Sequence, residues 1–251
     1  MLPVAEVDWD QYDAALFDLD GVVTPTAEVH MRAWAAMFND FLAGVQGQPP
    51  YTDQDYYDYV DGKPRYDGVR TFLLARGITL PEGDPSDPPE AETVAGLGNR
   101  KNEYFNRVLT EQGVQAYPGS VRLLDVLRER GLPMAIVSSS RNAPAVLDAA
   151  GVTDYFGTVM HGGVAAERRL AGKPAPDTFL AAAADLGATA ERAVVLEDAI
   201  SGVQAGAAGD FALVVGVDRG AGPAALTEAG ADVVVADLAE LLPDDQEEVV
   251  E

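Results

Sequence analysis

The chain of 251 residues carries 41 acidic against 17 basic side chains, a formal net charge of −24. Such a balance disfavours nucleic acid and anionic membranes as general partners, and it repels a phosphorylated ligand at long range unless local cations hold it. No cysteine is present and only His30 and His161 represent histidine, which excludes disulfides, thiolate catalysis and Cys-built zinc sites and leaves a multi-histidine site without ligands.

Hydrophobic content of 47% and charged content of 23% are those of a globular protein able to bury a substantial core. The N-terminal stretch with Glu6, Asp8, Asp10 and Asp13 lacks the basic and apolar regions of a signal peptide. No apolar run is long enough to span a bilayer, and a cytoplasmic location is expected.

Ala14-Ala15-Leu16-Phe17 reads as a short buried strand, and Asp18-Leu19-Asp20-Gly21-Val22-Val23-Thr24 follows where it stops. Alternation along extended chain sends Asp18 and Asp20 in similar directions, so the pair calls for a cation or a shared proton. A Mg²⁺ site beside a phosphorylated substrate would use such a pair. Taken alone, Asp-x-Asp-Gly is an ordinary turn. An EF-hand is a poorer match, since Gly21 is the fourth residue from Asp18 and not the sixth.

Thr26 to about Leu42 has helical spacing and ends at Gly44, Gly47, Pro49 and Pro50. The tyrosines of Tyr51–Tyr59 read as packing residues of a small helical layer. Val69–Ala75 and Val94–Leu109 are further helices, separated by the Pro- and Asp-rich loop Pro81–Pro89. From Tyr117 the texture changes. Helices are expected at Val121–Arg130, Ala143–Ala150, Asp177–Leu186, Val203–Ala208 and Ala224–Ala229. Strands are expected at Pro133–Val137, Thr158–Met160, Ala193–Leu196, Phe211–Val217 and Asp232–Val235. That alternation predicts an α/β fold with a doubly wound parallel, Rossmann-like sheet, its functional residues at the carboxyl ends of the strands. Residues 25–114 contain no strand candidate and read as an inserted helical cap domain, leaving 1–24 and 115–251 as the core. The acidic tail Pro243–Glu251 is expected to fray.

Three more segments meet the strand ends. Ser138-Ser139-Ser140-Arg141-Asn142 offers hydroxyls, a cation and free N–H groups, suited equally to a phosphate cradle and to a helix cap. Lys173-Pro174 follows Gly172; a Walker A loop is excluded because Pro174 stands where Ser or Thr is required, and a surface lysine is the common alternative. Glu197-Asp198 ends a buried strand, where two acids are costly without a cation, although a helix N-terminus also favours acids.

Asp18-Leu-Asp-Gly-Val-Val-Thr resembles the first motif of the haloacid-dehalogenase-like phosphotransferases, and the run to Trp34, through Thr26, His30 and Arg32, is similar to their β-phosphoglucomutase-like subfamily. The four motifs occur in that family's order over nearly the whole chain. The resemblance implies Asp18 as nucleophile, Asp20 as general acid–base, Ser138 at the transferring phosphoryl group and Lys173 as charge balance. It implies Mg²⁺ on Asp18, Asp20 (through its main-chain carbonyl), Glu197 and Asp198. Ser139, Ser140, Arg141 and Asn142 match positions around the sugar's distal phosphate, Arg65 its distal-phosphate arginine, Lys101 a specificity lysine, and Thr26 and His30 cap-proximal positions.

The implied reaction is phosphoryl transfer through an aspartyl phosphate, converting β-glucose 1-phosphate to glucose 6-phosphate, with glucose 1,6-bisphosphate as priming donor. The expected partner is a small phosphorylated sugar, and the chain is expected to act as a monomer. Dehalogenation is disfavoured because it needs no second acid such as Asp20. A sugar-phosphate phosphatase is the alternative within the family. A non-catalytic sugar-phosphate binding module is the alternative outside it, against which the intact acidic set speaks. Two places depart from the mutase pattern: Pro25 replaces an acidic residue in the hinge, and Lys63-Pro64 replaces a small apolar–hydroxyl pair, adding charge beside the sugar.

Overall fold

The computed structural model describes residues 7–243. The tail expected to fray lies outside them, apart from Pro243. Six strands, β1 (Ala14–Phe17), β2 (Met134–Val137), β3 (Thr158–Met160), β4 (Ala193–Glu197), β5 (Leu213–Val217) and β6 (Val233–Val235), form one parallel sheet in the order β3-β2-β1-β4-β5-β6. The first strand is central because it is buried on both faces, as its uninterrupted apolar run requires.

Side-chain alternation sorts the strands into two cores. Ala15, Phe17, Met134, Ile136, Val194 and Leu196 face one layer, and Ala14, Leu16, Ala135, Val137, Ala193 and Val195 face the other. Between the central strands run the helices α1 (Thr26–Ala43), α2 (Asp53–Tyr59), α3 (Arg65–Ala75), α4 (Val94–Gln112) and α5 (Pro118–Glu129). The later helices are α6 (Ala143–Ala150), α7 (Gly162–Arg168), α8 (Asp177–Asp185), α9 (Ile200–Ala208) and α10 (Pro223–Ala229). Helices α5 and α6 cover the first core through Leu123, Leu124, Leu127, Val146 and Leu147; α8 and α9 cover the second through Phe179, Ala182, Val203 and Ala205.

Helices α1 to α4 share a third cluster. In α1, Ala33, Trp34, Met37, Phe38 and Phe41 recur at helical spacing, and all but Ala33 join Phe72, Val94 and Leu97 there. Tyr51 stacks on Phe38 at 5.0 Å and meets Phe72 edge-on, so it packs as expected. Trp34 and Tyr56 are buried in the same layer.

Helix α7 was not anticipated. It opens on Gly162-Gly163, poor helix formers, and runs only seven residues. His161 starts it by accepting the Gly163 N–H at Nδ1, 3.1 Å, a capping role. Strand β5 begins two residues later than predicted because Phe211 turns into the second core against Phe179. Helices α3 and α5 begin three or four residues earlier than their apolar periodicity suggested, the first turn of each being polar or turn-like. Among the described residues no helix is long and apolar enough to cross a membrane.

The chain enters and leaves the α1–α4 layer side by side. The Tyr117 N–H donates to the Val23 carbonyl at 2.9 Å and the Ser120 hydroxyl to the Val22 carbonyl at 2.7 Å. Arg219, just past β5, ties both passages down: its Nε donates to the Gly21 carbonyl at 2.8 Å and its guanidinium lies 4.0 Å from the Tyr117 ring centroid.

Candidate active site

The strand order reverses between β1 and β4, the place where a doubly wound sheet opens a crevice. Leu196 pairs with Phe17, so Asp18 and Glu197 leave adjacent strands at the same level, and the Asp18 N–H continues the ladder onto the Leu196 carbonyl at 2.9 Å. Gly21 then turns the chain with φ +89°, and a Cβ there would stand 1.9 Å from Asp198 Oδ2. Glycine is required twice at this position, for the dihedral and for the approach of Asp198. Gly202 makes similar room for Glu197, whose Oε1 would lie 1.7 Å from an added Cβ.

Lys173 is the cation of this cluster. Its Nζ donates to Asp18 Oδ1 at 2.5 Å, to Glu197 Oε1 at 2.5 Å and to the Val137 carbonyl at 3.0 Å, using all three ammonium hydrogens. Burial alone would neutralise the lysine, but Asp18 and Glu197 outweigh it and hold its pKa above the ordinary value. The other oxygen of Glu197 accepts the Ala199 N–H at 2.7 Å. Burial raises the Asp18 carboxyl well above the usual range, against the pull of Lys173 and with the like charges of Glu197 and Asp20. Asp198 is raised too, by burial and then by Glu197, Asp61 and Asp18.

Asp20 behaves in the opposite sense. Although it is partly buried, His30, the Thr26 hydroxyl and the charge of Lys101 bring it down to about 2. Thr26 donates to Asp20 Oδ1 and shares a 2.8 Å bond with Thr24. His30 Nε2 lies 3.3 Å from the same oxygen. Lys101 contacts His30 Nδ1; while Lys101 is protonated it can only donate, so Nδ1 then accepts and Nε2 carries the proton facing Asp20. Lys101 is buried on α4 between the Trp34 and Phe105 rings, 5.1 and 5.2 Å from their centroids, and His30 stacks on Phe105.

Asp18, Asp20, Ser138 and Asp198 line one cavity of about 350 Å³, together with His30, Arg65, Lys101, Ser139, Ser140, Arg141 and Asn142. Ser138 Oγ is 3.4 Å from Asp20 Oδ2 and accepts the Ser140 N–H. On the facing wall Arg65 donates to Asn102 Oδ1 at 2.9 Å and to Asn99 Oδ1 at 3.4 Å, and Asn142 joins Asn102 at 2.7 Å. Neutral carboxamides position this guanidinium without cancelling its charge, as an anion site needs.

Three expected site residues are placed differently from their expected roles. Thr26 does not line the cavity; it is buried behind Asp20 because its hydroxyl is taken by that carboxylate. The Ser139 hydroxyl donates to the Gly62 carbonyl at 2.6 Å. Glu197 lines the cavity floor, but Lys173 and the Ala199 N–H occupy its two oxygens. Tyr56, read from the sequence as a packing residue, also lines the cavity, as do Asp61, Tyr66 and Arg70, which the sequence reading passed over. Asp61 is pushed up to about 7 by burial and by Glu197 across the cavity. Its position beside the Gly62-Lys63-Pro64 loop was the available signal.

Among the described residues no three acidic or histidine side chains converge as a closed metal cage. Mg²⁺ does not need one, since it takes one or two carboxylates and keeps water and phosphate as its other ligands. Asp18, Asp61 and Asp198 all have raised pKa values, with Lys173 the one cation lowering all three, so the cluster is short of positive charge and a divalent cation fits its chemistry.

A parallel doubly wound sheet carrying these acids at its switch point defines the class, and the chain belongs to the haloacid dehalogenase-like hydrolases, whose family model matches residues 12–210. It is an enzyme, a phosphotransferase or phosphatase. The chain is 50% identical over 238 residues to β-phosphoglucomutase of Mycobacterium bovis, covering 91% of each chain. It is 34% identical over 230 residues to the Bacillus subtilis β-phosphoglucomutase, again with 91% of each covered. The β-phosphoglucomutase structure from Clostridium difficile shares the fold, with a TM-score of 0.73 and 24% identity over 92% of this chain and 93% of that one.

Proposed function

We propose that the chain is a β-phosphoglucomutase, isomerising β-glucose 1-phosphate to glucose 6-phosphate through a bisphosphorylated sugar primed by glucose 1,6-bisphosphate. The observation that carries this reading is a single cavity with a nucleophile cluster and a second, separate set of phosphate donors. Asp18 and Asp20 belong to one set, and Arg65, Arg141 and Asn142 to the other. A substrate bearing phosphate at both ends, turned round between half-reactions, uses both; the 50% identity to the M. bovis enzyme supports the same substrate.

In this reading residues 25–114 are a cap over the core of 1–24 and 115–251. Asp18 attacks the phosphorus in line and becomes an aspartyl phosphate. Lys173 neutralises charge at that carboxylate, and Ser138 donates to the transferring group. Asp20, ionised at neutral pH in the free site, is the group placed to take the proton of the accepting sugar hydroxyl and return it to the leaving oxygen in the reverse half. Asp18, Asp198 and the Asp20 carbonyl would hold Mg²⁺, with Glu197 behind them holding Lys173. The ion supplies charge stabilisation of the phosphoryl oxygens.

Phosphorus NMR on β-glucose 1-phosphate with Mg²⁺ and a trace of glucose 1,6-bisphosphate tests this. Glucose 6-phosphate without stoichiometric inorganic phosphate is expected. Inorganic phosphate as main product would leave a phosphatase.

A further inference from the structure

The loop between α2 and α3 lines the cavity and is fastened to the sheet side by two hydroxyls. The Ser201 hydroxyl, on the first turn of α9, donates to the Asp61 carbonyl at 3.0 Å. The Ser139 hydroxyl, past the end of β2, donates to the next carbonyl, Gly62, at 2.6 Å. These contacts join residues 140 and 77 positions apart in the chain. The approach is tight: a Cβ on Gly62 would lie 2.2 Å from Ser201 Oγ and 3.0 Å from Ala199 Cβ, and Gly62 has φ +69°. Beside it, a Cβ on Gly172 would lie 2.5 Å from Pro64 Cγ. Two consecutive carbonyls, a glycine with no room for a side chain and a proline seated on a second glycine make a built contact surface.

The two serines also flank the chemistry. Ser139 follows Ser138, which lies beside Asp20, and Ser201 stands three residues after Asp198. We infer that Ser139 and Ser201 form a latch that holds the Asp61–Gly62 turn against the sheet side of the cavity that Asp18 lines, and thereby selects a sugar hydroxyl over water as phosphoryl acceptor. This rests on the proposed mutase reaction. Water attacking the phosphorus of the aspartyl phosphate breaks the bond to the Asp18 oxygen, restores the carboxylate and releases inorganic phosphate. A sugar hydroxyl attacking the same atom breaks the same bond, gives its proton to Asp20 and keeps the phosphoryl group on sugar. The turn has to be open for a sugar to enter and reorient, and shut while the aspartyl phosphate is exposed to attack, so latch strength sets the ratio of the two outcomes.

A hydroxyl–carbonyl bond contributes about a fivefold factor to a closing equilibrium, and the pair about 25-fold. Ser139→Ala, Ser201→Ala and the double variant are compared with wild type by hydrogen exchange of the peptide covering residues 60–64 and by phosphorus NMR of the products. The expectation is faster exchange, about fivefold in each single variant and about 25-fold in the double. The ratio of inorganic phosphate to isomerised sugar is expected to rise by a similar factor, and Ser139→Thr, which keeps the hydroxyl, to stay within about twofold of wild type. Unchanged exchange in the double variant would overturn the latch, and loosened exchange with an unchanged product ratio would overturn its role in acceptor choice. A wild-type enzyme yielding only inorganic phosphate would instead defeat the mutase reading and with it the acceptor role, and exchange would still decide whether the latch exists.

Discussion

On the sheet side of the cavity Lys173 meets Asp18 and Glu197 at 2.5 Å each and is almost wholly buried. On the helical side Arg65 is held by two carboxamides at 2.9 and 3.4 Å. The first wall is charged, dry and built on strand ends fixed by the parallel ladder. The second is neutral around its cation and built on helix and loop residues. In the proposed reaction the strand ends, which tolerate little displacement, would hold the reacting phosphorus, and the helical layer, as a cap, would admit and turn the substrate.

Asp18→Asn is the largest perturbation of the sheet wall. Phosphoryl transfer is expected to fall about 10⁴–10⁶-fold in a direct turnover assay, and a loss under tenfold would remove Asp18 from the role of nucleophile. Lys173→Met tests the same wall through stability. Two buried carboxylates lose their cation, and about 3–5 kcal/mol is expected to disappear from urea unfolding measured without added metal. If the loss is below about 1 kcal/mol, the cluster is not the dry ion network the distances imply.

The helical wall responds differently. If Arg65 holds the phosphate as proposed, Arg65→Ala is expected to raise KM for a sugar phosphate about 10–100-fold, the value of a charge-assisted hydrogen bond. A fall in kcat at unchanged KM would place Arg65 with the chemistry and blur the division between the walls.

Lys101 acts on the pH dependence of stability and not on turnover, with a defined sign. Burial and the nearby Arg65, opposed by Asp20, hold it down to about 7. Above that pH the folded chain has released the proton while the unfolded chain keeps it up to the ordinary lysine range, near 10.4. The unfolded state therefore binds more protons in the window from about 7 to 10, and this group makes stability rise with pH there. Lys101→Met is expected to flatten the pH–stability curve in that window by up to about 1.4 kcal/mol per pH unit. An identical slope in the variant would mean that Lys101 stays charged beside His30.

Much of this was readable in one dimension. The apolar run Ala14–Phe17 and its counterparts in the expected strands Pro133–Val137 and Ala193–Leu196 are local patterns, and a strand's burial on both faces shows directly in an unbroken hydrophobic stretch. The acids and the lysine were legible because each follows such a run or a turn, and strand ends of a parallel sheet collect at one edge. The aromatic spacing of α1 likewise implied a buried helical face.

Tertiary structure alone decided the pairings. That the Ser139 hydroxyl meets Gly62 and not the solute, that Glu197 is taken up by Lys173, and that Arg219 holds the Gly21 carbonyl depend on contacts between segments far apart in the chain. Helix α7 escaped notice because its glycine-rich start has little intrinsic propensity. Residue type and local spacing determine which segments become strands and helices and which chemistry each can offer. Which lone pair each donor reaches is settled when the chain closes on itself, because a hydroxyl or ammonium accepts many partners in sequence and only one arrangement in space.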